Sequence, residues 1–306
     1  MKLIAGTTDF HIEGKTAVAI GKFDGIHRGH QKLINEALRY KKQGLKTIVF
    51  TFDPSPGVFF RNDKSKELTT KFEKRDMFME MGIDILIEYP LNTETAAIKP
   101  ELYIEEILVK KLHAAVIVAG IDISFGHKGR GDMKMLQSKA VEFGYQVRII
   151  DKVCINEKEI SSTYVREEVQ AGNMENVTRL LGSPYCISGK VAHGKRLGRT
   201  FGMPTVNQIP AGNKLLPPFG VYFSKVLYEN KEYDSLTNIG IKPTVTDENI
   251  AGVETYIYDF SEDLYGKRID VKLLKFSRGE IRFDDISELI KQLQKDMEQG
   301  RKFHNI

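Results

Sequence analysis

The sequence predicts an α/β domain built on a parallel β-sheet, followed by a small antiparallel β-barrel domain and a C-terminal helix. The first half alternates short Val- and Ile-rich runs with helical patterns, which is typical of parallel strands joined by right-handed crossovers. The second half contains short strand-like runs separated by turns, and a helical pattern follows them. With 306 residues, of which 41% are hydrophobic and 28% charged, the chain can form two packed cores.

Four runs in the first half have the composition of buried strands: 17–21, 47–52, 83–89 and 114–120. Apolar residues at helical spacing follow the first run, and Gly44 stands where a helix C-cap is expected. Ligands of parallel sheets bind beyond the carboxyl ends of the strands. We therefore expect a functional site directly after one of these four runs.

The sequence pattern changes near residue 183, from alternating strands and helices to short strand-like runs, which predicts the boundary between the two domains. Gly182 and Pro184 interrupt helix and strand there, so we predict domains over 1–183 and 184–306. The predicted strands of the second domain include 221–228, 254–258 and 269–276. The final helix begins after Asp285, a predicted N-cap, and Glu288 three residues later would complete a capping box.

Charge and cysteine content exclude several classes of protein. The net charge of +4 is mild and its basic residues are spread along the chain, which does not favour a nucleic-acid partner. No apolar run reaches the roughly 18 residues of a membrane span, and Asp9, His11 and Glu13 interrupt the segment where a signal peptide would lie. Cys154 and Cys186 have no zinc-site spacing. We predict a cytoplasmic protein without a membrane partner and with no indication of an oligomer.

The segment 21–30, Gly-Lys-Phe-Asp-Gly-Ile-His-Arg-Gly-His, joins the first strand to the first helix. Glycines let the backbone approach a ligand, and a helix N-terminus offers unpaired N–H groups to an anion. Two imidazoles at positions i and i+3, His27 and His30, can face the same anion. The pattern favours phosphate binding and nucleotide chemistry over a structural role for these histidines.

This segment resembles the H-x-G-H signature of the nucleotidyltransferase superfamily, and its longer form resembles the FMN adenylyltransferase branch. The segment 160–166 is similar to the second ATP signature of that superfamily, I-S-S-T-x-x-R. The resemblance implies a Rossmann-like nucleotidyltransferase domain in which His27 and His30 are catalytic. It implies ATP contacts from both segments: Gly21, Phe23, Asp24, Gly25, His27, Gly29, His30, Ser161, Ser162, Thr163 and Arg166. It implies FMN contacts from Asp53, Pro54, Asp122 and Phe125.

Two positions of the first domain depart from the pattern of this family. Ser55 stands where the family usually has histidine, and Arg130 comes one position later than is common. Both departures lie near the implied flavin contacts and leave the two ATP signatures unchanged.

A second constellation begins with the basic, glycine-rich segment 189–200 and continues with Pro204-Thr205-Val206-Asn207. It resembles the riboflavin kinase signature, and further landmarks of that family follow in order at 238–244, Glu254, 263–267 and Arg278. The resemblance implies an antiparallel-barrel riboflavin kinase domain with ATP contacts from Gly194, Lys195, Gly198, Arg199, Thr205 and Asn207. Thr205 and Asn207 would hold Mg²⁺, because hard cations prefer oxygen ligands. Glu254 would be the general base, and Arg278 and Phe283 would contact riboflavin. Ser183 stands where the family's linker usually has arginine.

Together the two resemblances imply a bifunctional enzyme that converts riboflavin to FMN and FMN to FAD, with ATP as co-substrate and Mg²⁺ as cofactor. Riboflavin, FMN, FAD and ATP are the implied ligands. One alternative is that only one of the two activities is retained. Another is a flavin-binding regulator without turnover, or a basic RNA-binding module; these would bind a ligand without releasing ADP or pyrophosphate.

Overall fold

A computed structural model describes residues 1–192, 203–243 and 249–306, which form two compact units, 1–162 and 163–306. Two helices that precede the predicted boundary at residue 183 fall in the second unit, from Thr163 onward. The boundary at residue 183 stays a prediction. In the described residues, no helix has the combined length and apolar character that a bilayer span requires.

The first unit is built on a six-stranded parallel sheet with the order β1-β4-β3-β2-β5-β6. Its strands are β1 (Lys2–Ala5), β2 (Thr16–Ile20), β3 (Lys46–Asp53), β4 (Ile85–Pro90), β5 (Ala114–Gly120) and β6 (Gln146–Ile150). The four predicted strands correspond to β2 to β5. Strands β1 and β6, which the sequence analysis did not name, form the two edges.

Helices connect these strands and cover the sheet. They are α1 (Arg28–Arg39), α2 (Pro56–Arg61), α3 (Lys71–Glu80), α4 (Thr93–Ala96), α5 (Pro100–Leu102) and α6 (Met133–Phe143). A 3₁₀ turn (Tyr40–Gln43) extends α1 to Gly44, whose left-handed φ of 80° confirms the predicted C-cap. A π-helix (Tyr103–Lys111) continues α5, a 3₁₀ turn (His127–Gly129) precedes α6, and a short hairpin, β7 (Cys154–Ile155) and β8 (Lys158–Glu159), follows β6.

Both faces of the parallel sheet are buried. Along β2, Ala17 and Ala19 pack with residues of α1 and α3, whereas Val18 and Ile20 pack in a second cluster with the π-helix. Such two-sided burial explains why the central strands appear in the sequence as continuous apolar runs.

The second unit is a closed antiparallel barrel with the order β10-β13-β12-β11-β14-β9, in which β9 also pairs with β10. Its strands are β9 (Tyr185–Ala192), β10 (Thr205–Gln208), β11 (Gly220–Tyr228), β12 (Lys231–Pro243), β13 (Asn249–Ile257) and β14 (Arg268–Gly279). Helices α7 (Ser162–Gln170) and α8 (Met174–Leu181) precede the barrel and α9 (Ile286–His304) follows it. The predicted barrel and final helix are confirmed.

Asp285 is the N-cap of α9, as predicted, and its carboxylate accepts hydrogen bonds from the backbone N–H groups of Ser287 and Glu288. The predicted capping box is incomplete, because in the described contacts the Glu288 side chain returns no hydrogen bond to the Asp285 backbone. The Asp285 carboxylate instead accepts a third hydrogen bond from the Ser287 hydroxyl.

Candidate functional site

The segment between β2 and α1 lies at the topological switch point of the parallel sheet. Strand β2 has β3 on one side and β5 on the other, so the connections from these strands diverge at its carboxyl end. In open α/β sheets, ligands bind in the crevice that such a divergence creates. The backbone leaves β2 at Ile20, and α1 begins at Arg28. The crevice is therefore lined by the glycine- and histidine-rich segment that the sequence analysis singled out.

His27 and His30 stack on each other at the start of α1. Their ring centroids are 3.8 Å apart and the ring planes differ by 22°. His27 is the N-cap of α1, and its Nδ1 accepts a hydrogen bond from the backbone N–H of His30 at 3.4 Å. The ring of Phe23 packs edge-on against His30 at 5.2 Å. Backbone and core therefore fix both imidazoles.

Burial favours the neutral form of both imidazoles. Burial lowers the pKa of His27 to about 4, with the negative charge of Glu159 opposing the shift. Burial lowers the pKa of His30 well below its ordinary value, and repulsion by the protonated form of His27 and by Lys74 adds to the shift. Because Nδ1 of His27 accepts a hydrogen bond, its proton lies on Nε2. In the neutral form each ring keeps one N–H group that can donate to an anion.

The backbone between β2 and α1 contains three residues in the left-handed region. The φ angles are 51° at Phe23, 82° at Gly25 and 42° at Ile26. A β-branched residue in this region costs of order 1–3 kcal/mol, and such strain persists only where the surroundings hold it. At Gly29 a Cβ would lie 3.1 Å from the His27 ring, so a larger residue there would displace that ring by a few tenths of an ångström.

Asp24 supports this segment through its side chain. Its Oδ1 accepts hydrogen bonds from the backbone N–H groups of Leu68 at 3.0 Å and Thr69 at 3.4 Å. In return, the Thr69 hydroxyl accepts the N–H of Gly25 at 3.0 Å. Asp24 stays a predicted ATP contact, and its Oδ1 holds the strained segment against the residues that precede α3.

The second ATP signature lies at the start of α7. The Ser162 hydroxyl donates to the backbone carbonyl of Asp24 at 2.8 Å, which brings the two signatures of the first unit together at this serine. Ser161 is half-buried and precedes the helix. Thr163 is exposed and Arg166 is half-buried, both in the first two turns of α7.

The implied FMN contacts have different environments. Asp53 ends β3, forms an ion pair with Lys71 and precedes Pro54 through a cis peptide bond. Asp122 is exposed, and its Oδ2 lies 3.6 Å from the ammonium of Lys152. Phe125 is buried in the core. A flavin could reach the Phe125 ring only at the small part that remains accessible.

Ser55, one of the two departures from the family pattern, has a local role. It is the N-cap of α2, and its hydroxyl accepts the backbone N–H of Val58 at 3.4 Å. Serine is among the preferred N-cap residues. The other departure, Arg130, is exposed and ends the 3₁₀ turn before α6.

In the barrel, the predicted kinase residues lie side by side on adjacent strands. Asn207 of β10 and Asn238 of β12 are both direct register partners of Glu254 on β13, and Thr205 shares the face of Asn207. The strand neighbours of Glu254, Val253 and Thr255, are buried and form part of the barrel interior. Thr205, Asn207 and Glu254 therefore lie on the outer face.

A cavity of about 340 Å³ adjoins this face at Thr205, between β10 and the 260–265 connection. The predicted nucleotide loop, with Gly194, Lys195, Gly198 and Arg199, lies outside the described residues, as does Thr244. In the described part of the chain, no cluster of three or more His, Cys, Asp or Glu side chains could hold a metal ion.

Arg278 anchors the final helix to the barrel. Its Nε and Nη2 donate to the carboxylate of Asp296 in α9 at 3.0 and 2.5 Å, and that carboxylate is 1% exposed. Gln292 donates to the same carboxylate at 2.7 Å. The Arg278 guanidinium is therefore committed to α9, whereas Phe283 lies half-buried in the connection between β14 and α9.

Two family models match the two parts of the chain, FAD synthetase over residues 9–164 and riboflavin kinase over residues 181–304. The chain belongs to both families. A Listeria monocytogenes protein named bifunctional riboflavin kinase/FMN adenylyltransferase is 36% identical over 97% of this chain and 95% of its own length. A Bacillus subtilis protein of the same name is 34% identical over 100% of this chain and 99% of its own.

A crystal structure titled macrolide-efflux protein from Streptococcus pneumoniae matches with a TM-score of 0.87 and 29% identity, over 98% of this chain and 99% of that one. The full-length relatives favour the bifunctional interpretation over the alternative with a single activity.

In this FAD synthetase and riboflavin kinase chain, several residues that were not predicted lie beside predicted site residues. Lys71, Arg75 and Glu88 form a charged cluster beside Asp53, in which Arg75 makes two bonds to the buried Glu88 carboxylate at 2.9 and 2.6 Å. Glu280 lies beside Gly240, where a Cβ would collide with its carboxylate. The helical spacing of Lys71 and Arg75 was visible in the sequence, but the partner on β4 was not.

Proposed function

We propose that this chain converts riboflavin to FMN in its barrel unit and FMN to FAD in its parallel-sheet unit, each time with ATP. The observation that carries the proposal is that each unit has a separate polar constellation: stacked imidazoles at a switch point in one, and Asn207 beside Glu254 in the other. The same flavin would be phosphorylated at its 5′-hydroxyl and adenylylated at the new phosphate. The predicted cytoplasmic location is part of this proposal, since both reactions consume ATP.

In the parallel-sheet unit, an FMN phosphate oxygen attacks the α-phosphorus of ATP, and the bond to the departing pyrophosphate breaks. Such a reaction needs aligned groups and stabilised charge, with no covalent intermediate on the protein. His27 and His30, neutral and held rigidly, donate N–H groups to the phosphate oxygens. Ser161, Ser162, Thr163 and Arg166 supply further donors to the triphosphate, since hydroxyl and guanidinium groups suit phosphate oxygens.

In the barrel unit, Glu254 accepts the proton of the riboflavin 5′-hydroxyl as its oxygen attacks the γ-phosphorus, and ADP leaves. The position of Glu254 in the middle of β13 supports this role, because register partners on both sides fix its backbone. Phe283 and the connection before α9 contact the flavin ring. Arg278 acts indirectly, by holding α9 in place through Asp296.

The donor set on β10 fits Mg²⁺. The Thr205 hydroxyl and the Asn207 amide oxygen are hard ligands on one strand face, next to the Glu254 carboxylate. These two residues would hold the ion with the ATP phosphates. When bound, Mg²⁺ neutralises charge on the phosphate oxygens.

On the flavin side of the adenylyltransferase, Asp53 and Pro54 are the proposed FMN contacts, together with Asp122. Their place at the carboxyl ends of β3 and β5 supports this assignment. Phe125 supports the wall of that site from the core.

Chromatography of flavin products tests the proposal. The purified protein is supplied with ATP and Mg²⁺ and with riboflavin or FMN in parallel reactions. We expect riboflavin to give FMN and then FAD, and FMN to give FAD with release of pyrophosphate. Unchanged riboflavin would contradict the kinase assignment, and FMN that is not converted would contradict the adenylyltransferase assignment.

A further inference from the structure

Helix α3 presents three cations on one face, at positions i, i+3 and i+4: Lys71, Lys74 and Arg75. Lys71 is paired with Asp53 and lies 3.8 Å from Glu88, and Arg75 is paired with Glu88. Lys74 differs from both. Within the described residues its ammonium makes no ion pair and no side-chain hydrogen bond, although Lys74 is only partly exposed.

Phe78, one turn after Lys74 on the same face of α3, packs edge-on against Phe23 at 5.6 Å, and Phe23 packs against His30. Lys74 therefore lies on the side of α3 that faces the histidine segment. Its positive charge is one of the causes that lower the pKa of His30. It also acts on Glu67, where burial raises the pKa and the charge of Lys74 opposes that effect.

An independent observation points to a ligand at the same place. Nδ1 of His30 is a buried polar atom with no hydrogen-bond partner among the described residues. A buried polar atom without a partner destabilises a fold, and functional sites are where such atoms persist. His30 thus has an imidazole nitrogen without a partner, and Lys74, on the helix bonded to the histidine segment, has no ion pair among the described residues. An anion with several oxygens bound between them would supply partners to both.

The structure fixes the backbone of the helix that carries Lys74 relative to the histidine segment. A capping box fixes the first turn of α3: the Thr70 N–H donates to the Glu73 carboxylate at 2.8 Å, and the Glu73 N–H donates to the Thr70 hydroxyl at 3.3 Å. The residues just before this turn, Leu68 and Thr69, are bonded to Asp24 in the histidine segment. The helix that carries Lys74 is therefore attached directly to the loop that carries His27.

We propose that Lys74 binds the β- and γ-phosphates of ATP in the adenylyltransferase and stabilises them as they leave as pyrophosphate. The inference rests on the proposed adenylyl transfer in this unit. As the FMN oxygen bonds to the α-phosphorus, the bond from that phosphorus to the bridging oxygen breaks, and its electron pair leaves with pyrophosphate. The ammonium of Lys74 meets the charge that develops there, which makes Lys74 a catalytic residue beside His30.

The test compares Lys74→Met, which removes the charge and keeps the length of the side chain, with Lys74→Arg, which keeps the charge. Lys139→Met is the matched control, because Lys139 lies on α6 and pairs with Glu142 at the surface. For each full-length protein, KM and kcat are measured for ATP and FMN in FAD formation. The reverse reaction, FAD with pyrophosphate, is specific to this unit and gives KM for pyrophosphate. Riboflavin phosphorylation and thermal unfolding report on the integrity of the protein.

A charge-assisted hydrogen bond is worth about 1.5–3 kcal/mol, which corresponds to roughly 10- to 150-fold. We therefore expect Lys74→Met to raise KM for both ATP and pyrophosphate at least about tenfold, with KM for FMN changed less than about twofold. Lys74→Arg recovers most of the loss, and Lys139→Met matches the unmodified protein.

Two results would overturn the inference. If KM for FMN rises and the values for ATP and pyrophosphate do not, Lys74 serves the flavin phosphate. If FAD formation by Lys74→Met is unchanged, Lys74 contacts neither substrate. An unmodified protein that makes no FAD from FMN would instead contradict the proposed function, so the two failures can be told apart.

Discussion

The two units hold their functional side chains in opposite ways. In the parallel-sheet unit the histidines lie at the start of α1, directly after a strained loop. The conformation of that loop depends on hydrogen bonds that join Asp24 and Gly25 to Leu68, Thr69 and Ser162. In the barrel, Glu254 and Asn207 lie within strands, where the hydrogen-bond ladder fixes the backbone. A loop brings glycine N–H groups and imidazoles close to a phosphate, but needs supporting residues that a strand does not. The loop site should therefore be more sensitive to changes in residues that touch no substrate.

The largest expected effect is that of His30→Ala, which should lower one activity and leave the other unchanged. His30→Ala removes a proposed phosphate donor, and removal of one such donor costs about 10²- to 10³-fold in kcat. We expect FAD formation from FMN to fall by that factor while FMN formation from riboflavin stays within about twofold. Timed chromatography of both reactions measures the difference. An equal loss of both activities would contradict the division of labour between the units.

The reciprocal change is Glu254→Ala. Loss of a general base costs about 10²- to 10⁴-fold, so FMN formation should nearly stop while FAD formation from supplied FMN continues. If FMN formation stays within about tenfold, a barrier difference of roughly 1.4 kcal/mol, Glu254 is not an important base.

Arg278→Met tests whether the barrel depends on its buried ion pair. This change leaves the Asp296 carboxylate buried beside an apolar side chain, and breaking such a pair costs about 3–5 kcal/mol. We expect denaturant unfolding of the barrel unit at a lower midpoint, with FMN formation lost in proportion to the unfolded fraction.

The control for this change is Arg301→Met. The Arg301–Asp259 pair is exposed on both sides at 3.6 Å, so its removal should cost less than about 1 kcal/mol. The double variant Arg278→Met/Asp296→Leu should recover much of the lost stability. Equal midpoints for Arg278→Met and Arg301→Met would show that the ion pair to α9 is dispensable.

The smallest expected effect is that of Thr69→Val, which tests whether the loop before α1 depends on supporting residues that touch no substrate. Thr69→Val is nearly isosteric and removes the acceptor of the Gly25 N–H, at a cost of about 1–3 kcal/mol. Part of this cost should appear as a fall of about tenfold in kcat for FAD formation, because the strained segment loosens.

The barrel counterpart is Thr237→Val, which removes one member of the buried hydroxyl chain formed by Ser224, Ser235, Thr237 and Thr255. It should lower the midpoint of unfolding and leave kcat for FMN formation within about twofold. A larger fall in kcat for Thr237→Val than for Thr69→Val would reverse the comparison.

The sequence was sufficient for the central strands of the sheet and for both constellations, because continuous apolar runs and glycine-histidine spacing are local patterns. Strand β12 was not named, because its inward face carries Ser235 and Thr237, whose burial is stabilised by hydroxyl partners on other strands. The edge strand β6 was not named either, since none of its residues is fully buried.

The roles of individual side chains were harder to predict than their places. Asp24 belongs to the signature, yet its Oδ1 contacts backbone groups of residues 68 and 69, and no local pattern reveals a contact at that separation. Arg278 is a landmark of the second constellation, and its guanidinium is engaged by Asp296. Lys74 has no distinguishing pattern in the sequence. Only the structure distinguishes Lys74 from its neighbours, because Lys71 and Arg75 form ion pairs and Lys74 forms none among the described residues.

Closure of the barrel has a consequence for synthesis of the protein on the ribosome. Domains generally fold as units while the chain emerges, beginning at the N-terminus. The parallel sheet has all six strands once residue 150 has emerged. Strand β9 pairs with β14, so the barrel cannot close until residues 268–279 have emerged. Until then the nascent chain exposes the unpaired edges of β9 and β11, which makes this interval the one in which chaperones would matter most.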